Sequence, residues 1–173
     1  MSSTATDDLT VETQGRRPTL GKPYRFSPSE EQLANVIQRV SEYVWHEMPD
    51  DGGWDYGTNL HYLQDLCHHW INEFNWWDHQ PKLDRFSHYQ TNIDEIETHY
   101  IFEKGSGSNP TPLLISHGWP GSICEFLDII EPLAHPERFG GLVNDAFDVI
   151  TPSLPGFGFS GKPPRPIGPR GMA

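Results

Sequence analysis

The apolar residues in the first half of the chain recur at helical spacing. Between residues 27 and 49 this pattern predicts an amphipathic helix. Its apolar positions are Leu33, Val36, Ile37, Val40 and Val44. Ser27 suits the N-cap, Pro28 the first helical position and Glu30 a capping box, and the helix is expected to end before Pro49.

A second amphipathic helix is predicted from about Thr58 to Phe74. The residues of its apolar stripe are Leu60, Leu63, Leu66, Cys67, Trp70, Ile71 and Phe74. A connector rich in tryptophan follows at 75–80. Residues 1–21 are polar and contain Gly15, Pro18 and Gly21, which is typical of a mobile arm with little to bury.

From Phe86 the apolar period changes from helical spacing to alternation. The segments that contain Tyr89, Thr91 and Ile93, then Ile96, Thr98, Tyr100 and Phe102, predict two strands joined by a tight turn at Asp94 and Glu95. Beyond them we expect a short apolar strand at 112–116, a helix at 122–134 and a strand at 147–152. A strand, a helix and a second apolar strand predict a parallel pair, so the fold class is α/β.

Three segments follow from these elements. We expect a mobile arm at 1–21, a helical domain at 22–85, and the first strands of an α/β sheet at 86–173. The strand at 112–116 is apolar on both faces, and at the edge of a sheet it would expose Leu113, Leu114 and Ile115 to other chains. An open apolar edge predicts either self-association or association with a complementary fragment.

The net charge of the chain bears on the kind of molecule that it binds. The 173 residues carry a net charge of −12, and nucleic-acid binding depends on lysine and arginine, so we expect no nucleic-acid partner. The two cysteines suit neither a disulfide framework nor a zinc site, and His68, His69, His79 and His99 lack the spacing of metal ligands, so no metal is expected. Without an apolar run long enough to span a membrane, we expect a cytoplasmic protein.

The motif at 117–122, His-Gly-Trp-Pro-Gly-Ser, follows the predicted strand at 112–116 directly. Gly118 has no side chain to block the approach of the backbone to a bound oxyanion. Pro120 fixes the turn so that the amide of Trp119 is aimed at that site, and we expect the bond between them to be cis. The side chain of Trp119 would line an apolar substrate pocket, and His117 is expected to make a structural hydrogen bond.

This motif, with Pro-Ser-Leu-Pro-Gly-Phe-Gly-Phe-Ser at 152–160, resembles the microsomal-type epoxide hydrolases of the α/β-hydrolase fold. The paired helices and the Trp-rich connector upstream fit the same family. The resemblance implies that the backbone amide of Trp119 forms half of an oxyanion hole. It further implies a small apolar epoxide as substrate, no cofactor, an aspartate nucleophile, proton-donating tyrosines from a cap domain, and a histidine with an acid partner.

None of those remaining catalytic groups matches a residue here. The nucleophile elbow would follow a later strand that this sequence does not reach, so we expect the chain to be inactive alone. Two alternatives stay open. One is a non-catalytic partner or regulator of a full-length relative, and the other is a different α/β-hydrolase, such as an esterase or dehalogenase.

Overall fold

The structure is a computed structural model that describes residues 20–49 and 52–166. Its strands are β1 (Lys22–Pro23), β2 (His88–Ile93), β3 (Ile96–Glu103), β4 (Thr111–Leu114) and β5 (Phe147–Pro152), and its α-helices are α1 (Glu30–Ser41), α2 (Leu60–Asn72), α3 (Trp76–Asp84) and α4 (Ile130–Ala134). Short 3₁₀ turns lie at Ile123–Phe126, Pro136–Phe139 and Val143–Asp145. The predicted arm lies outside the described residues except for Leu20 and Gly21. None of the described helices is long and apolar enough to cross a membrane.

The five strands form one mixed sheet in the order β1-β2-β3-β5-β4. β4 and β5 pair in parallel, whereas the other neighbours are antiparallel, which confirms the predicted α/β class. The predicted hairpin is also confirmed, and Asp94 and Glu95 form its turn with φ values of 48° and 69°. The two-residue strand β1, which the sequence pattern did not predict, extends the antiparallel edge.

The buried core lies on one face of this sheet. Ile101 of β3 and Val149 of β5 are both 0% exposed, and they pack in one cluster with residues of α3, α4 and the neighbouring segments. The remaining buried members of the cluster are Leu83, Phe86, Ile123, Ile130 and Ala134. The core therefore joins the last N-terminal helix to the sheet.

The start of α1 was predicted wrongly. Ser29, not Ser27, is the N-cap: its hydroxyl accepts from the amide of Gln32 at 3.2 Å, and its own amide donates to the side chain of Gln32 at 2.8 Å. Pro28 is buried outside the helix, which moves the helix start by two residues. The helix also ends earlier than predicted, and Val44 lies beyond it with 87% of its surface exposed.

Two further helix predictions were wrong. The Trp-rich connector is itself helical, because α3 begins there under the side-chain cap of Asn75. The predicted helix at 122–134 is broken into a 3₁₀ turn and α4. Pro132 explains the break: inside one continuous helix it would remove a hydrogen bond, whereas in the first turn of α4 its missing N–H costs nothing.

Candidate functional site

The 117–122 segment follows directly after the end of β4. The amide of Ile115 donates to the carbonyl of Ile150 at 2.9 Å, so the loop leaves the sheet directly beside β5. The bond between Trp119 and Pro120 is cis, as the sequence predicts. At the far end, the hydroxyl of Ser122 accepts from the amide of Cys124 at 3.2 Å, and its amide donates to Glu125 at 3.0 Å. Both ends of the loop are thus fixed by hydrogen bonds.

His117 holds the loop from inside the protein. Its ring is 3% exposed, Nδ1 lies 2.9 Å from the carbonyl oxygen of Gly118, and the amide of Leu154 donates to Nε2 at 3.1 Å. An amide can only donate and a carbonyl can only accept, so we assign the ring proton to Nδ1. Both ring nitrogens are therefore engaged, which makes His117 a structural link between the two sequence motifs and leaves neither nitrogen free to act as a base.

Trp119 provides the two groups of this loop that a bound molecule can contact, its backbone amide and its exposed indole. Its residue surface is 82% exposed, and within the described residues its amide makes no hydrogen bond. A Cβ atom placed on Gly118 would meet nothing within 4 Å. The loop therefore presents an unused N–H donor beside open space, which is what an anionic oxygen needs in order to approach the backbone.

The second motif is anchored by a chain of hydrogen bonds that runs through two histidines. Ser153 Oγ lies 2.9 Å from Nδ1 of His99, Nε2 of His99 lies 2.9 Å from Nδ1 of His88, and Nε2 of His88 lies 2.9 Å from the carbonyl oxygen of Leu83. Because the carbonyl only accepts, and with one proton on each ring, every donor points from Ser153 towards Leu83. This chain ties the segment after β5 to the end of α3.

The environment of His99 favours the neutral ring. Burial and, to a smaller extent, the nearby His88 lower the pKa of this histidine from 6.5 to about 3. The amide of His99 donates to the hydroxyl of Ser160 at 2.9 Å, and that hydroxyl donates to the carbonyl of Ser153 at 2.7 Å. Sequence reasoning missed this network because its members are scattered along the chain and no spacing connects them.

The sequence pattern Gly-x-Asp-x-Gly occurs at residues 53–57, but the backbone there does not form a nucleophile elbow. An elbow is a sharp turn from a strand into a helix. Asp55 instead lies in an exposed turn between α1 and α2, where its amide donates to the carbonyl of Gly52 at 2.9 Å. Among the described residues no strand lies between α1 and Asp55, so Asp55 is not presented as a nucleophile.

A serine, a histidine and two glutamates meet at the end of β3, and sequence reasoning missed this cluster as well. His135 lies between Ser106, 2.6 Å from Nδ1, and Glu103, 2.9 Å from Nε2. The hydroxyl of Ser106 donates to Glu137 at 2.8 Å, and this bond lowers the pKa of that carboxyl. Because its proton is donated to a carboxylate, Ser106 is not activated by the imidazole as a nucleophile would be. The cluster joins β3 to the turn after α4.

Within the described residues, no group of three or more His, Cys, Asp or Glu side chains is arranged so that it could hold a metal ion. The candidate site consists of the backbone amide of Trp119, its exposed indole and the buried His117 that supports the loop.

Comparisons with known proteins match this chain to two sequence families. The sequence family described as "Epoxide hydrolase N terminus" matches residues 21–126, and the one described as "alpha/beta hydrolase fold" matches residues 111–170. Epoxide hydrolase 1 of Sus scrofa is 34% identical over 143 residues, which cover 80% of this chain and 32% of that protein.

Two solved structures are similar to this chain in fold. The epoxide hydrolase of Aspergillus niger has a TM-score of 0.70 at 27% identity and is matched over 83% of this chain and 37% of its own. The juvenile hormone epoxide hydrolase of Bombyx mori has a TM-score of 0.71 at 29% identity, over 84% of this chain and 34% of its own. The chain spans about a third of the length of the curated relatives it matches. On its sequence match and its fold, it belongs to the epoxide hydrolase N-terminus family and continues into an α/β-hydrolase sheet.

Proposed function

We propose that this chain supplies the oxyanion loop and the N-terminal portion of an enzyme that hydrolyses epoxides to vicinal diols. The observation that carries the proposal is the unused amide of Trp119, held beside Gly118 by the buried ring of His117. The similarity to proteins named as epoxide hydrolases supports the same reaction class.

In this reaction an aspartate opens the epoxide to a covalent ester, which water then hydrolyses. Negative charge develops on the ester carbonyl oxygen when water attacks, and the amide of Trp119 donates a hydrogen bond to that oxygen. The exposed indole of Trp119 lines the pocket for a small apolar epoxide. The nucleophile, the proton donors for the epoxide oxygen and the base that activates water come from another part of the enzyme, and the scheme requires no cofactor.

The isolated 173-residue chain is expected to produce no diol from styrene oxide above the buffer rate. Without the nucleophile only binding and half of the oxyanion hole remain, and those terms do not form the ester. A diol assay on the purified chain, with a full-length relative as the active control, measures this. The variant Asp55→Asn is assayed in parallel, because Asp55 is the aspartate of the one Gly-x-Asp-x-Gly pattern in the sequence. Turnover that survives repurification and disappears in Asp55→Asn would place a nucleophile inside this chain and contradict the proposal.

A non-catalytic role as the partner of a full-length relative is the second candidate. It is favoured by the lack of any strand-to-helix elbow within the described residues. Sequencing the nucleic acid beyond the codon for Ala173 distinguishes the enzymatic role from the non-catalytic one. A Gly-x-Asp-x-Gly elbow encoded within about thirty codons favours the enzymatic role. We also infer a cytoplasmic location, supported by the two unpaired cysteines Cys67 and Cys124.

A further inference from the structure

Ser106, His135, Glu103 and Glu137 form a chain of three hydrogen bonds, here called the His135 cluster, between the end of β3 and the turn after α4. Ser106 donates its one hydroxyl proton to Glu137 at 2.8 Å, and this bond lowers the pKa of the Glu137 carboxyl, which favours the ionised acceptor. The Ser106 oxygen therefore has no proton left for Nδ1 of His135, which lies 2.6 Å away. That bond forms only when Nδ1 carries the proton.

The other ring nitrogen of His135 needs a proton as well. Nε2 lies 2.9 Å from a carboxylate oxygen of Glu103, and an ionised carboxylate can only accept a hydrogen bond. The proton of this bond belongs to the ring, because an imidazole is a stronger base than a carboxylate. The two side chains are 13% and 26% exposed, so the pair is partly shielded from water. With a proton on each nitrogen, the ring is an imidazolium.

The remaining charged groups near the ring pair with one another or with Glu137. They are Lys104 after β3, Glu131 of α4, Arg138 in the turn after α4, and Asp148 of β5. Lys104 lies 3.8 Å from Asp148, and Arg138 lies 3.2 Å from Glu131 and 4.0 Å from Glu137. Within the part of the chain that the structure describes, His135 is thus the one cation paired with Glu103.

The His135 cluster closes the segment 104–110, which connects β3 to β4, onto the end of α4. The amide of Ser106 donates to the carbonyl of Ala134 at 2.8 Å, whereas residues 107–109 are exposed. A neutral ring has a proton on one nitrogen only, so it loses its bond either to Ser106 or to Glu103. We propose that His135 is a pH-sensitive switch, whose imidazolium form holds this segment closed and whose neutral form releases it as the pH rises. The switch goes beyond the proposed function, because it depends only on the His135 cluster.

The test is amide hydrogen exchange of the 173-residue chain, read by mass spectrometry on peptides that span 104–110. The exchange rate is compared at each pH with that of the same peptide unfolded, which corrects for the faster intrinsic exchange in base. Between about pH 5 and pH 9 the protection of this segment is expected to fall about tenfold or more. His135→Gln has no titrating ring, so its protection should not change over this range.

A second variant separates the switch from a purely structural role of the ring. Glu103→Gln removes the charge that favours the imidazolium, so the midpoint of the change in protection should move to lower pH by about 0.5 unit or more. The matched control is Glu131→Gln, because Glu131 is a nearby carboxylate that pairs with Arg138 instead, and its midpoint should stay in place.

Three outcomes would overturn the inference. The first is protection of 104–110 in the unaltered chain that does not change with pH. The second is a His135→Gln chain that keeps the original pH dependence, because another group would then be responsible. The third is a folded Glu103→Gln chain with an unchanged midpoint, and circular dichroism shows whether each variant is folded. None of these outcomes bears on the hydrolysis of epoxides.

Discussion

At the scale of single residues, the partners of the histidines decide what each one does. His117 joins two motifs that are 37 positions apart, through its bond to the amide of Leu154. The sequence predicts a structural hydrogen bond for this ring from its position before the turn, and the structure adds both partners. Such a partner could not be predicted, because hydrogen bonds between distant segments depend on the fold and leave no local spacing in the chain.

His117→Ala is expected to lower the free energy of unfolding by about 1–3 kcal/mol, because it leaves the half-buried amide of Leu154 without its acceptor. Urea unfolding followed by tryptophan fluorescence measures the change. The control is His61→Ala, which alters an exposed histidine of α2 and is expected to change stability by no more than about 0.5 kcal/mol. Equal effects of the two substitutions would contradict the role assigned to His117.

The lowered pKa of His99 predicts that the folded protein loses stability in acid. Its pKa is lowered from 6.5 to about 3 in the folded protein, so between these values the unfolded chain binds a proton that the folded chain does not. The free energy of unfolding should therefore fall as the pH drops below about 6.5, with a contribution from His99 of up to about 1.4 kcal/mol per pH unit. Below about pH 3 this contribution to the slope ends.

Urea unfolding at pH 6.5, 5.5 and 4.5 tests this effect by comparing the unaltered chain with His99→Gln. The variant loses the titrating ring, so its stability should depend less steeply on pH, while His61→Gln serves as a control with the original slope. If His99→Gln keeps the slope of the unaltered chain, the buried neutral state of His99 is wrong.

At the scale of secondary structure elements, strands were predicted better than helix boundaries. The hairpin and β5 follow from strict alternation and from a short apolar run, which are local signals. The boundaries of α1 depend on a choice between two serines, each with a side chain three residues later that can complete a capping box. Packing of Pro28 decides that choice, and packing is not visible in the pattern.

Ser29→Ala is expected to destabilise the protein by about 1 kcal/mol, whereas Ser27→Ala should have almost no effect. The reason is that only Ser29 accepts a hydrogen bond from the first turn of α1. Amide hydrogen exchange of Gln32 gives a local measurement of the same cap, and exchange there should accelerate in Ser29→Ala alone. The opposite order of the two variants would restore Ser27 as the N-cap.

At the scale of the whole molecule, the domain boundary between residues 85 and 86 stays a prediction. Contacts nevertheless connect residues on the two sides of that boundary. Phe26 stacks on Phe159 at 4.5 Å between ring centroids, and the amide of Gly21 donates to the hydroxyl of Tyr100 at 2.9 Å. Aromatic pairs of this kind stabilise by about 0.5–1.5 kcal/mol beyond the area they bury. The residues that precede α1 therefore contact the second half of the chain through an aromatic pair and a hydrogen bond.

The same molecule leaves apolar surface open in both segments. A groove of about 880 Å³ between α1, α2 and α3 is lined mainly by aliphatic and aromatic side chains, with Trp70 and Trp77 each 41% exposed. In the sheet, Leu114 and Trp119 are exposed at the edge and in the loop that follows it. Contiguous apolar surface of this kind marks places where another part of a protein packs. Because the loop that carries Trp119 begins at the end of β4, the exposed Leu114 and the unused amide of Trp119 belong to one short segment of the chain.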